Sequence, residues 1–377
     1  MSAPVVIAPV VIAAGGTGGH FFPAEALAAE LLRRGRRIVL MTDARSAAAM
    51  DGGQPSPAFA GRERFVIAGA GIAGRGLARA ARAALALARG SMQARGILAR
   101  LRPSVLVGFG GYPSVAPVLG SRALWRRPRV VLHEQNAVLG RANRMLSRHA
   151  DVLALSHTAT ARVPAATATA VTGNPVREAV AALAGQGYAA PQGHIRLLVL
   201  GGSLGARVFS DVVPPALARL AVPLRARLTV VQQCRAEDLE RVRAAYAEAG
   251  ISAELAAFFP DVAARLEAAH LVIARAGAST VAELAVAGRP SMLVPLPGAI
   301  DDHQTANARA LAEAGGAWVV AQAGCTPDTL AELLARLLAD RDGLAAAARA
   351  AAGCGHAGAA AALADLVESH IPQERGA

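Results

Sequence analysis

What most constrains this chain is a unit that recurs along it: a short β-branched run, a cluster of glycines, then an alanine-rich helical stretch. VVIAA runs into Gly15-Gly16-Thr17-Gly18-Gly19-His20, VLV into Gly108-Phe109-Gly110-Gly111-Tyr112, and LLVL into Gly201-Gly202-Ser203-Leu204-Gly205. Apolar runs without polar alternation are buried on both faces, and intervening helices make successive strands parallel. After VVIAA come a helix from about Pro23 to Arg34, RRIVLMT, a helix near Ser46, SVLVGFGG, RVVLHEQN and DVLALS. Past TGNPVRE the series restarts with IRLLVLGGS and a helix near Gly205, then RLTVVQQC, AELAAFF, HLVIARAG, PSMLVPLPG and WVVAQ. This predicts an α/β fold of two tandem Rossmann-like domains. The tail from about His356 to Ile371 carries Ala and Leu at helical spacing and predicts one last helix.

The 377 residues suffice for two cores of ordinary size. With 54% hydrophobic and 18% charged residues the chain is globular, and every basic residue is arginine. The charge is unevenly placed: residues 1–172 hold 22 Arg against 7 acidic residues, a net +15, and residues 173–377 hold 17 against 20, a net −3. A basic first half points to an anionic partner, either a phosphorylated substrate or an acidic membrane face. Aromatic residues make up only 3% of the chain, and the basic half has almost none near its arginines to stack bases, which argues against nucleic acid. The stretch 71–103, with arginines at 75, 79, 82 and 89, reads as a basic amphipathic surface helix. The longest uncharged stretch, Pro103 to Ser121, is broken by glycines and prolines and falls short as a spanning segment. Three cysteines without a C-x-x-C pair argue for a reducing compartment.

Glycine turns let backbone N–H groups approach an anion, and the helix that follows adds positive potential. A nicotinamide site would need G-x-G-x-x-G and an acid roughly 20 residues on. Asp43 is placed for that acid, but Phe21 stands where the final glycine should be. His20 closes the first turn, where its imidazole is a candidate general base. His133-Glu134-Gln135-Asn136 ends the strand RVVL, where α/β enzymes place ligands; it is not H-E-x-x-H and lacks a third ligand, so no metal is expected. Glu134 and Tyr112 are alternative bases. In the second half, Glu283 could accept hydrogen bonds from a ribose diol, and the amides of DDHQTANA suit sugar hydroxyls. Asp340-Arg341-Asp342 has the D-x-D spacing of metal-dependent glycosyltransferases but lies at a helix end and reads as solvated surface.

Taken in order, GGTGGH, GFGGYPS, HEQNAVLGRANR, TGNPVR, GGSLGAR, ARAGASTVAELAVAGRP and DDHQTANA resemble the MurG family, the glycosyltransferase family 28 enzymes that complete the disaccharide of the lipid-linked peptidoglycan precursor. The resemblance covers nearly the whole chain. It implies a GT-B fold, two Rossmann-like domains facing a cleft with the final helix crossing back to the first: residues 1–172 plus about 356–377 on the acceptor and membrane side, and 173–355 binding the donor. It implies inverting, metal-independent transfer of GlcNAc from UDP-GlcNAc to the C4 hydroxyl of the MurNAc unit of lipid I, giving lipid II, with no cofactor, at the cytoplasmic face of the bacterial inner membrane. Anionic lipid and other cell-wall synthesis proteins are the further partners implied.

By the same resemblance Thr17, Gly18 and Gly19 lie at the sugar and acceptor pyrophosphate, with His20 a candidate base. Asn136 contacts the transferred GlcNAc, and Arg177 and Ser203 the donor. Phe259 stands against uracil, Ala278 at the sugar, Glu283 on the ribose and Gln304 on the GlcNAc hydroxyls. His303 stands where some members carry another glutamine. A GT-B rival, a UDP-GlcNAc 2-epimerase, would use the second-domain site alone, and the basic stretch 71–103 speaks against it. A membrane-binding scaffold with a degenerate nucleotide site is disfavoured by Glu283, Gln304 and His20.

Overall fold

The computed structural model describes residues 8–16, 18–52, 56–68, 77–202 and 205–372. The chain divides into two compact units, Met1–Arg177 with Gly358–Ala377, and Glu178–Ala357. In the first, β1 (Val10–Ala13) leads into α1 (Gly18–Arg33), β2 (Ile38–Thr42) into α2 (Ala44–Asp51), and β3 (Arg64–Val66) precedes α3 (Leu77–Leu101). Then β4 (Val105–Gly108) leads into α4 (Gly111–Arg122), β5 (Arg129–Glu134) into α5 (Arg141–Leu146), and β6 (Val152–Leu155) and β7 (Thr169–Val171) complete the sheet.

The strand order is β3-β2-β1-β4-β5-β6-β7, all pairs parallel. Strand β1 is buried along its whole length, as an unalternated VVIA run must be when helices cover both faces. The chain passes from β1 to β2 on one side, then returns to β4 on the other. The carboxyl ends of β1 and β4 therefore diverge into a crevice, the place where α/β sheets hold ligands.

The second unit repeats the plan: α6 (Glu178–Ala181), β8 (Ile195–Leu200), α7 (Arg207–Ala218), α8 (Val222–Arg225), β9 (Leu228–Gln233), α9 (Leu239–Glu248), β10 (Ser252–Ala256), α10 (Val262–Ala268), β11 (Leu271–Ala274), α11 (Ala278–Ala287), β12 (Ser291–Leu293), α12 (His303–Glu313), β13 (Ala317–Val319), α13 (Pro327–Ala339) and α14 (Arg341–Gly353). The order β10-β9-β8-β11-β12-β13 is again parallel and reverses between β8 and β11.

Two strands were not visible as apolar runs. Both β3 and β7 are three-residue edge strands whose side chains are exposed or half-buried, so burial leaves no pattern on them. Helix α1 also begins before Pro23, which sits inside it. A proline ordinarily marks a first turn; here it follows five helical residues, Gly18 to Phe22. Asp340 caps α14, accepting from the Gly343 amide at 2.8 Å, so the D-x-D spacing belongs to a helix cap.

The last helix, α15 (Ala359–Ser369), belongs to the first unit. Its Leu363, Ala364 and Val367 share one apolar cluster with Val10, Ile12, Leu27 and Leu31. At the rim Arg34 donates to Glu30, Asp365 and Glu368 at 2.6, 2.6 and 2.7 Å, and Arg36 to Glu368 at 2.6 Å. Burial of Glu368 opposes ionisation, but the bonds from Arg34 and Arg36 outweigh it and hold the carboxyl below its ordinary value. A depressed carboxylate contributes stability that is complete above its unfolded value, near 4.5, and is lost as pH falls through the lower native value. Arg34→Met is therefore expected to lower the stability of this unit by about 1–3 kcal/mol at pH 7, and by much less in acid once Glu368 is protonated. Calorimetric melting at the two pH values checks both.

Candidate active site

The register of β1, β4 and β5 levels their carboxyl ends: Ala13 lies opposite Gly108, and Gly108 opposite Leu132. The turns after each strand must then meet. In the first, Gly16 has φ +84°, and its amide donates to Ser46 Oγ at 2.7 Å. Ser46 in turn donates to Asp43, whose carboxylate caps α2 through the amides of Arg45 and Ser46. The glycine turn is thus tied to the end of β2, and Asp43 is spent on the cap. A Cβ on Gly15 would lie 2.5 Å from Asp43 Oδ2 and 2.9 Å from Thr42 Oγ1, so only glycine fits.

His20 sits on the first turn of α1, half-buried, with Nδ1 at 2.9 Å from Gln135 Oε1. The Gln135 amide nitrogen lies near Phe109 O (3.1 Å), His133 O (3.2 Å) and His133 Nδ1 (3.0 Å). His133 Nε2 lies 3.0 Å from Gly173 O. Full burial of the His133 ring pulls its pKa down to about 4, so it is neutral at physiological pH. Gly111, with φ +62°, has no side chain beside the His20 ring; a Cβ there would lie 3.2–3.3 Å from Cδ2 and Nε2.

Glu134 is buried and points the other way along the strand. Its Oε1 accepts from the Asn136 amide (3.1 Å) and Asn136 Nδ2 (2.9 Å), and its Oε2 from the Gly140 amide (3.0 Å) and Asn143 Nδ2 (2.9 Å). With four donors on one carboxylate, its geometry suits orienting the 136–143 loop better than taking a proton. The Tyr112 hydroxyl is buried without a hydrogen-bond partner. Burial first, and nearby Asp43 second, raise its pKa above the ordinary phenol value, so it is a protonated donor and not a base at neutral pH. Arg177 stacks over the Phe22 ring of α1 at 5.0 Å. Gly18 and Gly19 open α1, while Thr17 and Ser203 lie outside the described residues. The first unit therefore gathers His20, Gly18, Gly19, Tyr112, Glu134 and Asn136 at adjacent strand ends. Sequence reasoning assigned no role to His133, Gln135 and Asn143, although all three lie within the motif HEQNAVLGRANR.

In the second unit the turn after β8 carries Gly202 and Gly205 at φ +80° and +67°, and the Gly201 amide donates to Gln233 Oε1 at 3.2 Å. The N-cap of α7, Ala206, makes no side-chain cap bond, so among the described residues no capping side chain is seen at the positive end of the helix. Ala278 opens α11 and Glu283 is buried on it. Arg275, buried at the end of β11, donates to Val294 O, Pro295 O and Gln322 Oε1 at 3.0, 3.1 and 2.6 Å, pinning the backbone that leads to α12. There Gln304 Oε1 accepts from the Leu296 amide at 2.9 Å, so its NH2 is the group that remains for a ligand.

Phe259 departs from expectation. Its ring is 4% exposed with Arg265 3.9 Å over its face, and Arg265 is held by Glu254 and Asp261. It offers no open face to a base, whereas neighbouring Phe258 is 50% exposed.

Two parallel six- and seven-stranded sheets, each reversing order at a glycine turn that opens a helix, define a GT-B glycosyltransferase architecture. Residues 10–154 match the glycosyltransferase family 28 N-terminal domain and residues 196–367 the family 28 C-terminal domain. The chain belongs to glycosyltransferase family 28. It is 62% identical over 369 residues, 97% of this chain and 95% of the relative, to the UDP-N-acetylglucosamine--N-acetylmuramyl-(pentapeptide) pyrophosphoryl-undecaprenol N-acetylglucosamine transferase of Granulibacter bethesdensis. Among solved structures, MurG of Acinetobacter baumannii matches with TM-score 0.76 at 31% identity, covering 96% of this chain and 99% of that one. A UDP-GlcNAc 2-epimerase from Neisseria meningitidis matches with TM-score 0.66 over 96% and 100% but at 10% identity, a likeness of fold alone.

Gly15→Ala should lower stability by about 1–3 kcal/mol through overpacking against Asp43 and Thr42. An unchanged melting temperature would contradict the packing described for this turn.

Proposed function

We infer that this chain transfers GlcNAc from UDP-GlcNAc to the MurNAc unit of undecaprenyl-pyrophosphoryl-MurNAc-pentapeptide, forming lipid II and UDP. The observation that carries the inference is the 62% identity, over nearly the full length of both chains, to a transferase named for that reaction. The epimerases share the fold without the sequence.

The residues can be given roles in an inverting, metal-independent displacement. His20 takes the proton of the acceptor C4 hydroxyl as its oxygen attacks the anomeric carbon. The bond from that carbon to the diphosphate breaks, and UDP leaves with the electron pair. The amides at the start of α7 stabilise the departing diphosphate. Glu283 holds the ribose, Gln304 donates its NH2 to GlcNAc hydroxyls, and Ala278 leaves room for the sugar. In the acceptor unit Gly18 and Gly19 offer backbone to the pyrophosphate. Asn136, oriented by Glu134, contacts the sugar, and Tyr112 serves as a donor.

The membrane side of the reading rests on a surface of the first unit. Helices α3 and α4 pack together, with Arg95 donating to the Ala123 carbonyl at 3.1 Å. On α3 Met92 is 74% exposed and Leu85 about half exposed, and Trp125, just past α4, is 99% exposed. Arg89, Arg122, Arg126 and Arg127 lie in the same two segments. Apolar side chains among arginines suit peripheral attachment to anionic lipid. No helix of the described residues is long and apolar enough to cross a membrane.

Radiolabelled GlcNAc should pass from UDP-GlcNAc to a short-chain lipid I analogue in the presence of EDTA; conversion of UDP-GlcNAc to its 2-epimer instead would overturn the reading. His20→Ala should lower kcat by about 10²–10⁴-fold with KM for UDP-GlcNAc nearly unchanged. Replacing Arg126 and Arg127 by Ala should weaken sedimentation with phosphatidylserine-containing vesicles by about 30-fold, from about 1 kcal/mol per arginine, and leave binding to neutral vesicles unaltered.

A further inference from the structure

We infer that Gln135, itself oriented by backbone carbonyls and by His133, fixes the tautomer of His20, with the ring proton on Nδ1 and the lone pair on Nε2. The inference deepens the reading of His20 as the base and rests on it for its catalytic consequence.

The assignment follows from which atoms can donate. A backbone carbonyl only accepts, so the Gln135 side-chain atom that faces both Phe109 O and His133 O must be its NH2. The oxygen Oε1 is then the atom 2.9 Å from His20 Nδ1. Oε1 carries no hydrogen, so the proton of this bond belongs to His20 Nδ1. In neutral His20 the second nitrogen, Nε2, must hold the lone pair.

His133 supports the same direction independently. Its Nε2 lies 3.0 Å from Gly173 O and must donate there. Its Nδ1 is then an acceptor in the neutral ring, as it must be to face the Gln135 NH2 at 3.0 Å. The ring is fully buried and neutral at physiological pH. The two histidines thus hold opposite tautomers, set by the carbonyls of Gly173 and Phe109. Gln135 is 1% exposed, and turning its amide over would set an oxygen against two carbonyl oxygens and a ring lone pair.

The strand geometry explains the spacing. Side chains alternate along β5 and its continuation, so His133 and Gln135 project together while Glu134 projects to the opposite side. Gly111 keeps the other edge of the His20 ring clear, since a Cβ there would lie 3.3 Å from Nε2. Only a histidine with its lone pair on Nε2 can take a proton at that edge; the opposite tautomer would present an N–H. When Nε2 accepts the proton, the Nδ1–H bond to Gln135 remains, and the amide passes no proton on. Gln135 and His133 are positioning residues and not a proton shuttle.

Nitrogen-15 NMR of the full chain labelled in its histidine rings, at about pH 8 where imidazole is neutral, tests the assignment, with His20→Asn identifying the signal. His20 should show a pyrrole-type Nδ1 and a pyridine-type Nε2. In Gln135→Met, which keeps length but removes the amide, the pair should move towards the average of both tautomers. In the same variant kcat should fall, by less than the roughly 10⁴-fold seen where the wrong histidine tautomer is imposed elsewhere, while KM for UDP-GlcNAc stays within about twofold. A wild-type His20 protonated on Nε2 overturns the inference, and so does a Gln135→Met protein with the tautomer of the wild type. The wild-type spectrum decides the assignment even where the variant does not fold. Full activity in His20→Ala would instead remove the base reading and leave the ring assignment intact, so the two failures are distinct.

Discussion

The parallel register that sets β1, β4 and β5 side by side is the constraint on which the site in the first unit depends. Ala13, Gly108 and Leu132 are level across the three strands, so the backbone that follows each has no course except into the same small volume. A slip of one residue in β5 would exchange the sides on which His133, Glu134 and Gln135 project. Glu134 would then face His20, and the amide would face the loop. Such a slip would also break the bonds that tie His133 to the Gly173 carbonyl and Glu134 to the Gly140 amide and Asn143.

Closure of these turns buries polar groups, and each needs a partner. The solution is division of labour between neighbours on one strand. Glu134 answers the amide and side-chain donors of the loop beyond it, while Gln135 answers carbonyls and the histidine on the other side. A carboxylate in place of Gln135 would meet Phe109 O and His133 O with oxygens, and an amide in place of Glu134 could not accept four donors. In the second unit Arg275 plays a comparable part with positive charge, spending its guanidinium on carbonyls after β12 and on Gln322.

The fold was legible because strands buried on both faces write themselves as unbroken apolar runs. Eleven runs predicted strands in two tandem series, and the two strands missed, β3 and β7, are edge strands whose burial is too slight to leave a pattern. The glycine turns were legible too, since φ above zero at Gly16, Gly111, Gly202 and Gly205 leaves a trace in composition. What a single residue does there was far less legible. Glu134 and Gln135 are adjacent and both polar, and only the three-dimensional surroundings give one to the loop and the other to His20. Phe259 looked apolar and available, yet Arg265, six residues on, covers it. No spacing rule announces that pairing.

The first sheet borrows part of its apolar cover from the far end of the chain. Leu363, Ala364 and Val367 of α15 fill the same cluster as the side chains of β1 and α1, although residues 178–357, a compact unit in their own right, lie between. During synthesis that face of the first sheet would have α1 but not α15 against it until the second unit had been made. In the second unit the buried members of the cluster around Leu197 and Phe209 all come from residues 195–344. The earliest strands of this chain therefore depend on its last helix to complete their core.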